Sequence, residues 1–333
     1  MSQKKPTLSK KVIDPDRMSS TQKTIKFSKP KAVKPTFPVG KPTTKPPVTV
    51  IQNKPQKQDN KPDIQPQNDV PIIGIKRALL IGINYFGTQN ELNGCIKDVQ
   101  NINNLLTTSY QYKPENVKIL TDDQEDNKPT KINIINNINA IVALTKPGDT
   151  LFIHYSGHGT QVVDVDGDEK NNPDAKGKDD ALCPCDFGNY GGISGFISDD
   201  ELRKMIVNKI PKGAKLRAFF DCCHSGSALD LPYIYKSGTE YTQIEPNVTQ
   251  SDDCLLVSGC RDFQTSADAY INNQYSGALT WALVQALTTS VKIKTTWKDL
   301  LLIVRHSLAT AKYDQVPMLS IGNKQIGNNF IDL

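Results

Sequence analysis

The chain reads as an α/β protein with a mostly parallel central sheet flanked by helices. Three observations predict it. From about residue 76, short runs that are apolar throughout alternate with stretches of helical spacing. Strands that are apolar on both faces require cover on both faces, which is the pattern of parallel sheets between helix layers. Two of these runs end in glycine-bearing turns, "SGHG" at 156–159 and "DCCHSG" at 221–226. In such sheets ligands gather beyond the carboxyl ends of the strands.

The elements follow in order. "RALLIGI" (77–83) is a strand. "NGCIKDVQNINNLLTTS" (93–109) has helical spacing, with Ile96, Val99, Ile102 and Leu105 on one side. "NVKIL" (116–120) is a second strand, and 130–145 is a helix ended by Lys146-Pro147-Gly148. "TLFIHYSG" (150–157) is a third strand. The segment 198–210 opens on Ser198 with Glu201 three residues later, a capping box that predicts a helix. "AKLRAFF" (214–220) and "CLLVSG" (254–259) are further strands. Helices are expected at about 276–289 and 296–311, and a last strand at 316–321.

Residues 1–75 differ in kind. They hold 15 Lys and Arg against 5 Asp and Glu, and 12 of the 21 prolines, whereas the remainder holds 25 basic against 30 acidic residues. A stretch so poor in apolar mass cannot offset its ordering entropy, so it is expected to be a disordered arm with the folded body at 76–333. Its start lacks the apolar core of a signal peptide, and no later run approaches the ~18 apolar residues of a membrane span. All seven cysteines lie beyond residue 94, in odd number. Reduced thiols in a cytoplasmic protein with access to the nucleus, without membrane or specific nucleic-acid partners, are the expectation.

The chemistry concentrates at the two turns. Gly157 and Gly159 leave His158 uncovered between them, while His154, inside an apolar run, reads as a core histidine. A cysteine nucleophile needs its thiolate, a nearby histidine and backbone donors for the oxyanion. Cys222, Cys223 and His224 supply the thiols, and on residues alone the same turns also suit small thiols packed in a core. The segment 164–186 is dense in carboxylates. Its aspartates at 164, 166 and 168 suggest an EF-hand, but glycine stands at the fourth position and Ala175 at the twelfth, which argues against one. Clustered aspartates repel, and a hard divalent cation relieves that.

Together "YSGHG", "GDE", "DDAL", "DCCHSGSALDLPY" and "SGCRDFQTSADA" resemble the metacaspases, caspase-like cysteine peptidases, over about residues 77–333. The resemblance implies the caspase-hemoglobinase-like three-layer sandwich, with a larger portion at about 76–235, a linker at about 236–252 and a smaller portion at about 253–333. It implies His158 as general base and Cys223 as nucleophile, with Cys222 a neighbour. It implies a substrate pocket of Cys95, Asp98, Ser156 and Asp221, acidic where caspases are basic, and hence cleavage of proteins and peptides after Arg or Lys. It further implies activation by Ca2+ held by Asp168, Asp179, Asp180 and Asp230, self-cutting with Lys236 as candidate site, an arm acting as a propeptide, and a monomer. Two other readings remain: a catalytically silent module binding proteins through the Pro-rich arm, and a thiol or metal module built on Cys222, Cys223 and His224.

Overall fold

The structure, a computed structural model, describes residues 74–164, 178–236, 240–244, 251–259, 268–271, 274–290 and 294–333. Residues 1–73 of the arm expected at 1–75, and Asp168, lie outside the described residues.

In chain order the elements are β1 (Lys76–Gly82), α1 (Cys95–Ser109), β2 (Val117–Thr121), α2 (Lys131–Leu144), β3 (Thr150–Ser156), β4 (Gly159–Val163), β5 (Lys178–Leu182), β6 (Ile197–Ser198), α3 (Asp199–Leu202), β7 (Lys215–Asp221), β8 (Tyr233–Tyr235), β9 (Thr242–Gln243), β10 (Cys254–Ser258), β11 (Asp268–Ile271), β12 (Gln274–Gly277), α4 (Ala278–Ser290), α5 (Trp297–Thr310) and β13 (Met318–Ile321). Eight strands form one sheet in the order β2-β1-β3-β7-β10-β13-β8-β9. The pairings from β2 to β10 are parallel, and β13, β8 and β9 complete the edge antiparallel.

The alternation along each strand explains the three layers. Ala78 and Leu80 of β1 face one way, with Phe152, Phe219, Leu255 and Leu319, and are covered by Val99, Ile102 and Leu106 of α1, Leu279 and Leu283 of α4 and Val304 of α5. Leu79 and Ile81 face the other way, with Leu151, Ile153 and Leu216, and are covered by Ile134 and Ile138 of α2 and by Leu202 and Ile206. Ile96, expected on the buried side of α1, is only half-buried, and Asp98 is buried in its stead. Thr130 caps α2, its side chain accepting the Asn133 N–H, and the Ser198–Glu201 capping box is present in full.

Three features depart from the sequence expectation. The helix expected at 198–210 is α-helical only through Leu202 and then widens into a π turn at Arg203–Val207. The widening lets Leu202, Ile206, Val207 and Ile210 all reach the core. The stretch after His158 pairs into a small antiparallel sheet, β4-β5-β6. β8, at the end of the expected larger portion, and β9, inside the linker expected at about 236–252, join the sheet edge. Among the described residues no helix is long and apolar enough to cross a membrane.

The amino-terminal rim of the sheet is pinned by one buried cation. Arg217 of β7 is 1% exposed and donates from Nε and Nη2 to Asp332 at 2.8–3.0 Å, and it pairs with Asp253 at 2.8 Å. It thereby ties β7 to the segments before β10 and after β13. Removing one partner of a buried ion pair strands the others. Arg217→Ala is expected to cost about 3 kcal/mol in urea unfolding, and a loss below about 1 kcal/mol would mean the pair acts as a solvated surface contact.

Candidate active site

β3 and β7 are parallel neighbours in a register that sets Ser156 opposite Asp221. Two residues further on, the chain reaches His158 on one strand end and Cys223 on the other. The two loops touch: an atom at the Cβ position of Gly159 would sit 1.8 Å from the Cys223 carbonyl oxygen and 3.2 Å from Cys222 Sγ. Only glycine tolerates that approach. The turn after Cys223 is equally tight, with His224 at a φ of 48°.

His158 is half-buried and held from several sides. Its N–H donates to the Tyr85 hydroxyl at 2.9 Å, and its carbonyl accepts from the Tyr155 hydroxyl at 2.8 Å. The imidazole Nε2 lies 2.7 Å from the Asn90 carbonyl oxygen. A carbonyl can only accept, so Nε2 carries the hydrogen and Nδ1 is left as the basic nitrogen.

The two adjacent cysteines are not alike. Cys222 is fully buried, and burial followed by the neighbouring Cys223 pushes its thiol well above the ordinary range. Cys183, on the β5 side, is pushed up to about 12 by burial and Cys223. Cys223 alone of the pair is partly exposed. His154 is a core residue as expected: fully buried, 3.3 Å from Thr280 Oγ1, and pushed down to about 3 by burial.

Beside these loops two carboxylates are buried close together, an acidic recess in the sense of a buried cluster. Asp98, in the first turn of α1, and Asp221, the last residue of β7, are both buried. Ser156 Oγ donates to Asp98 Oδ2 at 2.7 Å, and Ser276 Oγ to Asp98 Oδ1 at 2.5 Å. The Gly277 N–H reaches both Asp98 oxygens at 3.0 and 2.9 Å, and the Thr280 N–H donates to Asp221 Oδ2 at 2.7 Å. The amino end of α4 thus presents its free N–H groups to both carboxylates, where the helix dipole favours anions. A Cβ at Gly277 would lie 2.2 Å from Asp221 Oδ2 and 2.8 Å from Asp98 Oδ2, so the two carboxylates flank this glycine. Burial, then the Asp221 charge, pushes Asp98 well above the usual carboxylate range. Of the four residues expected in this pocket, Asp98, Ser156 and Asp221 meet here. Cys95, one helical turn before Asp98, is 5% exposed with its N–H held by Asn84 Oδ1 at 3.0 Å. Ser276 and Gly277 join the recess unforeseen; the only sequence signal was a serine-glycine pair before a helix.

Asp179, Asp180 and Asp230 are buried on β5 and after the β7 loop. Asp180 accepts from the Ser227 N–H and hydroxyl and from Gln161. A further carboxylate, Asp199, accepts the Asp180 N–H at 2.8 Å and is pushed up to about 10 by burial, Asp230 and Asp180. Asp199 was hidden in the sequence as an ordinary first-turn residue of a capped helix. The donor set is all carboxylate oxygen, the chemistry of a hard divalent cation. Among the described residues, however, no group of three or more His, Cys, Asp or Glu side chains is arranged to hold a metal ion. Lys236, the candidate self-cutting site, is half-buried directly after β8, the strand next to the edge strand β9.

Residues 76–232 match the model of the metacaspase, peptidase C14 domain. The chain is 37% identical over 295 residues to a metacaspase-1A of Aspergillus terreus, covering 74% of this chain and 70% of that one. It is likewise 37% identical to a metacaspase-1 of Ajellomyces capsulatus, of which 80% is covered. The chain belongs to the metacaspase family. A 39% identical metacaspase-1 of Coccidioides immitis is longer, and the alignment spans 61% of it. Among solved structures, caspase-1 from Spodoptera frugiperda superposes with a TM-score of 0.51 at 13% identity, covering 78% of this chain and 89% of that one. This likeness concerns the fold: a metacaspase chain with the caspase-like sheet and helix layers.

Asp98 makes stability depend on pH. Its carboxyl sits above the value of about 3.9 it has in an unfolded chain. The folded protein therefore keeps a proton that the unfolded chain has released, and stability falls as pH rises from the unfolded value towards the folded one. Asp98→Asn removes that loss. Between pH 5 and pH 8 the Tm of the wild type is expected to drop by several degrees more than that of the variant, and parallel curves would contradict the assignment.

Proposed function

We propose that this chain is a calcium-activated cysteine endopeptidase that cleaves after Arg or Lys, with Cys223 as nucleophile and His158 as base. One observation carries the reading: the tips of two adjacent parallel strands meet, with Gly159 against the backbone of Cys223.

In this reading His158 Nδ1 takes the Cys223 proton, and the thiolate attacks the carbonyl carbon of the scissile bond. Backbone N–H groups of the Cys223–His224 turn and of Gly159 stabilise the oxyanion. The imidazolium returns its proton to the leaving amine as the C–N bond breaks, leaving a thioester on Cys223. Water, deprotonated by His158, hydrolyses that ester and restores the thiol. The Asn90 carbonyl keeps the imidazole in the required tautomer throughout.

Arg or Lys specificity is supported by the Asp98–Asp221 recess. Two buried carboxylates that share space favour a cation between them, and a guanidinium or ammonium there replaces the proton that otherwise relieves their repulsion. Asp179, Asp180 and Asp230, with Asp168, would hold the Ca2+ of this reading, and the ion would cancel the mutual repulsion of these carboxylates. Self-cutting after Lys236 belongs to the same proposal.

Peptides differing only in the residue before the scissile bond test the specificity. Turnover of the Arg and Lys peptides is expected to exceed that of the Asp peptide by more than about 100-fold, and preferential cleavage of the Asp peptide would overturn it. Cys223→Ala is expected to abolish turnover, by about four orders of magnitude or more, while Cys222→Ala retains it. Gly277→Ala places a methyl group between the two carboxylates, and is expected to raise KM for Arg peptides by about tenfold or more with less effect on kcat. Chelation of calcium is expected to suppress turnover reversibly; activity unchanged by a chelator would remove calcium from the proposal.

A further inference from the structure

Tyr85 holds a backbone conformation that bulky residues rarely adopt, with a φ of 54°. A single carboxylate keeps it there. Asp122 Oδ1 accepts the Asn84 N–H at 2.9 Å, and Asp122 Oδ2 accepts the Tyr85 N–H at 2.6 Å. Asp122 directly follows β2 and Tyr85 follows β1, the two strands being paired with Gly82 opposite Thr121. The clamp is therefore built on two rigid strand ends. The same loop closes on itself through Leu92 N–H to the Asn84 carbonyl, 2.8 Å, and Thr88 N–H to the Tyr85 carbonyl, 3.2 Å.

The side chain so placed is spent on His158. The Tyr85 ring is 2% exposed and its centroid lies 4.7 Å from that of the imidazole, with 40° between the planes. Its hydroxyl accepts the His158 N–H and donates to the Cys183 carbonyl at 2.6 Å, with the Tyr155 hydroxyl 3.2 Å away. The loop it belongs to also carries Asn90, whose carbonyl meets His158 Nε2. One strained residue thus governs the backbone, the ring face and, through its loop, the tautomer of the same histidine.

We propose that Tyr85, clamped by Asp122, is a positioning residue for His158: it fixes the tilt of the imidazole and lends its π face to the imidazolium formed when the Cys223 proton moves to Nδ1. The proton transfer leaves a thiolate and an imidazolium, and the net charge is unchanged. An aromatic face favours the charged partner of such a pair. This inference rests on the Cys223–His158 reading above.

The groups around His158 keep the prediction simple. Tyr85 and Tyr155 are both held well above the ordinary phenol range by burial, and Cys183 is pushed up to about 12. Glu91, in the same loop, is exposed and accepts the Gly87 N–H. Tyr85, Tyr155 and Cys183 therefore stay protonated across the pH range tested.

The test compares the full chain with Tyr85→Phe, Tyr85→Leu and Asp122→Asn, reading kcat and KM on an Arg peptide from pH 5.5 to 9.5. Tyr85→Leu is expected to move the alkaline limb down by about half a pH unit and to lower kcat about tenfold or more, with KM changed less than about twofold because the acidic recess is untouched. Tyr85→Phe keeps the ring, so its limb stays in place while kcat falls less. Asp122→Asn frees the loop and is expected to lower kcat with KM preserved. It carries the test if Tyr85→Leu does not fold, and wild-type kinetics in Asp122→Asn would then overturn the proposal. Alkylation of Cys223 by iodoacetamide against pH reads the thiolate without turnover. There Tyr85→Leu is expected to lower the plateau between the acid and alkaline limbs, because a less stabilised imidazolium leaves more of the pair as neutral thiol and imidazole. A folded Tyr85→Leu whose turnover and alkylation profiles superimpose on the wild type would also overturn it. Retained turnover in Cys223→Ala would instead remove the peptidase reading beneath it.

Discussion

The site depends on the parallel pairing of β3 with β7, in the register that puts Ser156 beside Asp221. Parallel strands leave the sheet at the same rim, so two loops separated by 65 residues emerge side by side. Because both strands are buried on both faces, that register is set by two packed cores at once and cannot slip without turning apolar side chains out of one of them. The rest follows from it. Gly159 closes on Cys223 because the loops are too near for a side chain. The polar residues that end the strands, Ser156 and Asp221, come to lie in one buried recess.

That recess is completed from outside the sheet. α1 brings Asp98 to it, and the amino end of α4 brings the Gly277 and Thr280 N–H groups. The carboxylates are thus hydrogen-bonded by a helix end, yet burial first and the Asp221 charge second hold Asp98 above the usual carboxylate range. Burial of like charges in contact is costly unless a proton or a cation intervenes. The same tension recurs among Asp180, Asp199 and Asp230. The fold stores electrostatic cost at two places along one rim, and both places are where a positively charged partner would lower it.

Much of this was legible beforehand because periodicity and turn chemistry are local properties. The strands at 77–83, 150–157 and 214–220 and the helices at 93–109 and 130–145 appear within a residue or two. The Ser198–Glu201 capping box is present as its spacing predicts. The π turn at Arg203–Val207 was not legible, since it answers to four side chains reaching a core that only the assembled sheet defines. Nor were β4, β5 and β6, whose short polar strands are stabilised by each other and carry little apolar alternation. Asp199, Ser276 and Gly277 were missed for the same reason: each is unremarkable in its own segment and acquires a role only through partners far along the chain.

The sequence by itself determined the long helices and the main strands of the sheet, which residue types could do thiol chemistry, and that "SGHG" and "DCCHSG" end buried strands. Those are consequences of local hydrophobic pattern and of what glycine, histidine and cysteine can do. Tertiary structure alone shows how Cys222 and Cys223 differ, because exposure is a property of packing: one thiol is sealed in the core and the other is partly exposed, which supports Cys223 in the proposed role. It alone decided that His158 keeps its hydrogen on Nε2, because the Asn90 carbonyl and the Tyr85 ring arrive from another loop. Contacts between residues distant in the chain leave no periodic trace, and the chemistry of this site is made of such contacts.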